Sequence, residues 1–243
     1  MKGYLHSFES LAAVDGRGIR CAVFLAGCPL RCVCCHNPDT WDMRNATETT
    51  PEELVRKIAR YKPYFREDGG VTFSGGEPLL QAAFIEEMLP LLAERKIPYA
   101  VDTSGAVKLT DTVKNVLAHA QTVLLDLKYP NDALYLAYTG CDMQLPYEVL
   151  QYLESIQKET WLRTVVIPAI NDSEDALEAY LQRMKDFSCV KKYELLAFHT
   201  MGFYKYRELG IANPLEQTPA LAPERLNALQ QFVDNRLAQI KKA

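Results

Sequence analysis

"VTFSGGEP", residues 71–78, decides the reading of the fold: a short apolar β-branched run, two glycines that turn the chain, and a proline that opens a helix. Proline suits the first helical position because the N–H it lacks is unsatisfied there anyway, and glycine punctuates strand-to-helix joints. The same grammar recurs along the chain. Residues 20–26, 71–74, 99–103, 123–127, 162–167 and 193–198 read as strands. They are near-continuous apolar runs rather than alternating ones, as expected when both faces of a parallel sheet are buried. Helix-period stretches at 51–66, 78–96, 110–120, 147–158, 173–187 and 222–242 follow them in turn, and Thr50, Pro51 and Glu53 form a capping-box pattern. Six strand–helix units predict an α/β protein, an open partial (β/α)6 barrel of parallel strands, since six fall short of the usual eight-stranded closure. The 243 residues contain no repeats or Gly/Ser linkers and read as one domain, with the proline-rich stretch 213–223 as a loop before the last helix.

Composition narrows the function classes. Lys and Arg number 27 against 31 Asp and Glu, a net charge of −4, and no basic run stands out. A nucleic-acid partner is therefore not expected. The N-terminus, MKGYLHSFES, has no apolar signal region, and no stretch approaches the roughly 18 apolar residues of a membrane span. The expectation is a cytoplasmic, monomeric protein with no membrane partner. Thiols stay reduced in that compartment. Seven cysteines, four of them crowded into residues 28–35, then point to metal or redox chemistry rather than a disulfide framework. Cys21, Cys141 and Cys189 stand alone and read as small buried hydrophobes.

In parallel α/β sheets the ligand site faces the carboxyl ends of the strands. Polar residues interrupt the chain at those ends: the cysteines after the first strand, Gly75-Gly76-Glu77-Pro78 after the second, Asp102-Thr103 at the third, and Asp126-Leu127-Lys128 at the fourth. Arg163 lies inside the fifth and His199 just after the sixth. Cys28, Cys32 and Cys35 make C-x3-C-x2-C, three thiolates on one tight loop, a set that suits iron–sulfur clusters and zinc alike. For zinc, Cys34 or His36 is the formal fourth ligand, but no second cysteine pair exists. On a four-iron cubane, three cysteines leave one iron open, the mark of a catalytic rather than an electron-carrying centre. Glycine at 76 lets the backbone approach a ligand closely. The charges each have a plainer reading: Asp126 and Lys128 satisfy one another, Arg163 pairs with a carboxylate, and Asp15 caps a turn.

The stretches "GCPLRCVCCHNPDTWD", "VTFSGGEPLLQ", "VDTSG", "LLDLK" and "LLAFHTMGFYKYRELG" together resemble the radical S-adenosylmethionine superfamily. Within it they are most similar to the activases of glycyl-radical enzymes, of the type that serves pyruvate formate-lyase. The likeness runs from "HSFESLAAVDGRGIR" to the last loop, and no ferredoxin-type cysteines are inserted between the cluster loop and Gly75-Gly76-Glu77. The resemblance implies a [4Fe–4S] cluster on Cys28, Cys32 and Cys35, with S-adenosylmethionine on the open iron. Reduction of that pair implies methionine and a 5′-deoxyadenosyl radical, which takes hydrogen from a glycine of pyruvate formate-lyase. It further implies that Cys34, Cys35, His36, Gly76, Asp126, Leu127, Lys128, Arg163 and His199 contact S-adenosylmethionine. Asp102 and Thr103 are implied to hold a monovalent cation, and flavodoxin or ferredoxin to donate the electron. Two departures stand out: the family usually has an aromatic residue where Cys34 stands and proline where Arg17 stands. The competing readings are an activase for another client, of the diol dehydratase or choline lyase type, and a non-catalytic iron–sulfur carrier or zinc-stabilised binding protein.

Overall fold

The computed structural model describes residues 1–44 and 46–240. By contact density the chain forms two compact units: residues 1–29 with 40–124, and residues 30–39 with the chain from 125 onward.

The first unit opens with β1 (Gly3–Ala12) and β2 (Arg20–Leu25), followed by the short β3 (Thr47–Thr49), α1 (Pro51–Ala59) and α2 (Lys62–Phe65). Then come β4 (Gly70–Gly75), a 3-10 turn (Pro78–Gln81), α3 (Ala82–Glu94), β5 (Tyr99–Thr103) and α4 (Asp111–His119). β2, β4 and β5 pair in parallel, while β1 runs antiparallel to both β2 and β3. Val23, Leu25, Val71, Phe73 and Val101 are fully buried, which accounts for their unbroken apolar runs. The capping box forms as its pattern predicts: Glu53 N donates to Thr50 Oγ1 at 3.2 Å and Thr50 N to Glu53 Oε2 at 3.1 Å. The helix expected at 51–66 is broken, however, and restarts at Lys62 with Pro63 in its first turn. Proline lacks the N–H that an interior turn requires. At the start of β2, the fully buried Arg20 donates to Thr72 Oγ1 (2.8 Å), Arg17 O (2.8 Å), Val71 O (3.1 Å) and Asp68 O (3.1 Å). A buried guanidinium needs such partners, and these fix the loop at 13–19.

β6 (Thr122–Asp126) carries the division between the units. The second unit continues with α5 (Asp132–Thr139), α6 (Gln144–Ser155), β7 (Thr160–Val166), α7 (Glu174–Met184), β8 (Val190–Ala197), α8 (Phe203–Glu208) and α9 (Pro223–Ile240). β7 and β8 pair in parallel, and Leu162, Val166, Leu177, Leu181, Phe198 and Val233 form the core beside them. Residues 241–242 of the expected last helix lie outside the described residues.

The strand order is β3-β1-β2-β4-β5-β6-β7-β8, so the sheet is mostly parallel and does not close. All six expected strands are present in the expected sequence. β1 and β3 are additional, as are α5 and α8. Cys21 and Cys189 are buried, as read from the sequence, whereas Cys141 is half-buried just past α5. Among the described residues no helix is long and apolar enough to cross a membrane.

Candidate active site

In the first unit, Cys28 follows β2 and Gly76 follows β4. Two backbone bonds join these segments: Gly76 N donates to Leu25 O at 2.9 Å and Glu77 N to Gly27 O at 2.7 Å. A Cβ at Gly76 would strike the Gly27 carbonyl and stand 3.1 Å from Cys28 Cβ. Only glycine lets the turn lie this close to the first cysteine. Glu77 is fully buried and accepts from Thr103 Oγ1 (2.6 Å), Ser104 Oγ (2.5 Å), Ser104 N (2.8 Å) and Leu79 N (3.1 Å). Burial pushes its carboxyl up, and the Ser104, Thr103 and Leu79 donors pull back only part of the way. The Thr103 hydroxyl is thus committed to Glu77, while Asp102 Oδ2 accepts from Ser74 Oγ at 2.8 Å.

The second unit holds Cys32, Cys34 and Cys35 on a tight turn, with Cys35 N donating to Cys32 O at 3.1 Å. Arg31 N and Val33 N donate to the last carbonyls of α5, Thr139 O (2.7 Å) and Tyr138 O (3.0 Å). Cys34 is buried, and burial pushes its thiol up while Lys128 and the Tyr129 hydroxyl ease its ionisation. Asp126, at the end of β6, receives Lys128 Nζ on one oxygen at 2.6 Å and faces Arg163 Nε with the other at 3.3 Å. Burial opposes the Asp126 carboxylate, but Lys128 and then Arg163 outweigh it and hold its pKa below the usual range. Burial likewise opposes the Lys128 charge, but Asp126, then Cys32 and Cys34, hold its pKa well above the ordinary value. Both plainer pairings thus occur together, two cations sharing one carboxylate, and the trio sums to +1. Leu127 is buried, bonding through N to Arg163 O (2.8 Å) and through O to Thr164 Oγ1 (2.6 Å).

His36 and His199 stack with ring centroids 3.7 Å apart, and His36 Nε2 bonds His199 O at 3.0 Å. Burial and then the neighbouring His199 lower the His36 pKa, so it favours the neutral ring. His199 Nδ1 is buried and has no hydrogen-bond partner. Buried polar atoms are normally satisfied, so this one fits a bound ligand.

Four residues support these segments that were not among the expected site residues, two in each unit. Glu77 and Ser104 brace the glycine turn. Lys205 Nζ reaches Asn37 (2.9 Å) and Asp39 (3.0 Å), and Tyr206 donates to the cysteine turn. A carboxylate between two glycines and a proline was a readable signal for Glu77. The three-residue spacing of Phe203 and Tyr206 offered a weak signal for α8, and none for what its buried face meets.

Each unit carries donor types that suit a cluster with S-adenosylmethionine: in the first, Cys28 beside the Cβ-free approach at Gly76, and in the second, Cys32 and Cys35 on one turn, an unpartnered His199 nitrogen, and a net-positive trio for a carboxylate. Among the described residues no three or more His, Cys, Asp or Glu side chains are grouped to hold one metal ion. A cubane asks for no such group, because each thiolate meets its own iron.

Comparison with known proteins agrees with this chemistry. The model of the radical SAM superfamily matches residues 23–181. A pyruvate formate-lyase-activating enzyme of Clostridium pasteurianum is 41% identical over 236 residues, 97% of this chain and 98% of that one. Its namesake in Staphylococcus aureus (strain USA300) is 37% identical over 242 residues, covering 96% of each chain. Among solved structures, Streptococcus suis SuiB bound to S-adenosylmethionine superposes with a TM-score of 0.66 at 16% identity, covering 87% of this chain and 45% of that one. A domain of pyruvate-formate lyase-activating enzyme from Bacteroides vulgatus gives 0.56 at 20% identity, over 69% and 94%. These two likenesses speak to the fold alone. The chain belongs to the radical SAM superfamily, within its family of pyruvate formate-lyase-activating enzymes.

Proposed function

We propose that this protein installs the glycyl radical of pyruvate formate-lyase. The observation that carries the reading is the near-full-length likeness to relatives of that name, 41% over 97% of this chain and 98% of the relative. Cys28, Cys32 and Cys35 are the proposed ligands of a [4Fe–4S] cluster, leaving Cys34 outside the set. When bound and reduced, the cluster with S-adenosylmethionine supplies methionine and a 5′-deoxyadenosyl radical, which takes a hydrogen atom from a glycine of the client.

The chain's own residues bind and orient. Lys128 and Arg163 offer cations to the methionyl carboxylate, and Asp126 holds both in place. Gly76 gives the ligand's ammonium access to the backbone, and His199 with Leu127 and the 34–36 backbone receives the adenosine. Asp102 and Thr103 are the proposed seat of a monovalent cation, a hard ion that suits oxygen ligands. The electron comes from flavodoxin or ferredoxin, and the protein works as a cytoplasmic monomer, as one domain.

Mixing the reconstituted, reduced protein with S-adenosylmethionine and pyruvate formate-lyase under anaerobic conditions should give a glycine-centred electron paramagnetic resonance signal, and formate once pyruvate and coenzyme A are added. Cofactor cleavage without that signal, but with a radical on a diol dehydratase or choline lyase, would replace the client and keep the chemistry.

A further inference from the structure

Residues 199–206, far along the chain from the cysteines, clasp the cysteine loop at several points. Lys205 bonds Asn37 and Asp39, and His36 bonds His199 O. At Gly202 a Cβ would press into the His36 backbone. The most directed contact is that of Tyr206. Its ring is buried, at 2% exposure, with Phe203 edge-on at 5.6 Å. Its hydroxyl points at Cys32 O (3.2 Å) and Cys35 O (3.0 Å), the carbonyls at the two ends of the C-x2-C turn. Cys32 O also accepts from Cys35 N, so the hydroxyl's single proton, shared between Cys32 O and Cys35 O, is held at both ends of the turn. From the other flank, α5 receives the N–H groups of Arg31 and Val33.

We infer that Tyr206 is a positioning residue for the cluster: its hydroxyl holds the backbone of Cys32 and Cys35 so that both thiolates present to the irons with one spacing. The inference rests on the ligand set proposed above. A helix of six residues has little stability of its own, and its placement of a phenol under two ligand carbonyls gives it a purpose that packing alone does not require. A phenylalanine ring would fill the same space. The hydroxyl is what the two carbonyls use.

The test is Tyr206→Phe, with Tyr204→Phe on the half-exposed neighbour as control. Both variants and the wild type are reconstituted anaerobically with iron and sulfide. Iron release to a colorimetric chelator and thermal midpoints with and without iron are then measured. Loss of a net hydrogen bond predicts release about threefold to tenfold faster for Tyr206→Phe. Its midpoint gap from wild type should be wider with iron than without, and Tyr204→Phe should match wild type. Equal release rates, or a gap no wider with iron, would overturn the inference and leave Tyr206 as packing. So would equal changes in Tyr204→Phe. A wild type that takes up no iron would instead overturn the activase reading beneath it.

Discussion

The trio of Asp126, Lys128 and Arg163 separates a structural charge from a binding charge. Asp126 and Lys128 side chains are about one-fifth exposed and Arg163 is 9% exposed, so all three sit where an unpaired charge is costly. Asp126→Asn removes the single anion and leaves two cations side by side. Breaking a buried pair from one end costs about 3–5 kcal/mol. For a chain of this size each kcal/mol moves the midpoint by about 2–4 °C, so the iron-free variant should melt about 6–20 °C lower. Lys128→Met loses its own ion pair with Asp126 but leaves the Asp126–Arg163 pair at 3.3 Å, so its midpoint should fall by clearly less than that of Asp126→Asn. Its deficit belongs to ligand binding: losing one charge-assisted contact of about 1.5–3 kcal/mol weakens S-adenosylmethionine roughly tenfold to hundredfold. Neutral pH is the right place to measure. The folded pKa of Asp126 is depressed below 3.8, so its stabilisation is present above pH 3.8 and lost as pH falls through the folded value. Lys128 is raised above 10.5, so its contribution is present below pH 10.5 and lost as pH climbs through the folded value. Circular dichroism melts of iron-free protein and calorimetric titration of the reconstituted enzyme read the two effects. Equal destabilisation by the two variants, or none by Asp126→Asn, would refute the division of roles.

Three further outcomes follow from geometry. Glu77→Ala leaves four donors around a buried turn without their acceptor, and since each costs about 1–3 kcal/mol, denaturant titration should show a loss of at least about 3 kcal/mol; a loss below about 1 kcal/mol would contradict the network. Gly76→Ala drives a methyl group into the Gly27 carbonyl and toward Cys28, so the reconstituted variant should hold less iron than wild type, and full iron content would show that the close approach is dispensable. Burial opposes the Glu154 carboxylate, but it accepts from Cys189 N (2.8 Å) and Ser188 Oγ (2.7 Å), and these bonds win, bringing its pKa down to about 2. Its stabilisation is present above pH 4.5 and fades toward pH 2; Glu154→Gln should flatten that limb of the stability–pH curve, and an unchanged limb would place the acid sensitivity elsewhere.

The parallel strands were legible because burial on both faces writes itself as an unbroken apolar run, as at Val71–Phe73 and Val123–Leu125. β1 escaped for the opposite reason. It pairs antiparallel with one face more open, and its burial alternates from Gly3 to Ala12 without a strong apolar stripe. Even so, Asn131 at the N-cap and left-handed Gly140 at the end of α5 were readable start and stop signals. The pairing of Asp126 with both Lys128 and Arg163 was half-readable: Lys128 is two residues away, whereas Arg163 reaches the carboxylate only through the fold.

The least legible helices and the most legible loop are linked by a single requirement. Residues 28–37 carry the crowded cysteines and form no regular helix or strand, so the loop satisfies little of its own backbone, and buried N–H and C=O groups must find partners elsewhere. The chain supplies them from α5, through the carbonyls of Tyr138 and Thr139, and from α8, through the Tyr206 hydroxyl, while Lys205 engages the Asn37 and Asp39 side chains. Both helices are short, eight and six residues, below the length at which local propensity sustains a helix in water. They are held by what they hold. Their sequence therefore shows only weak helical periodicity, while the cysteine spacing beside them reads plainly. His199, stacked on His36 of this loop, keeps a buried Nδ1 without a hydrogen-bond partner, and the function proposed above has a ligand complete it.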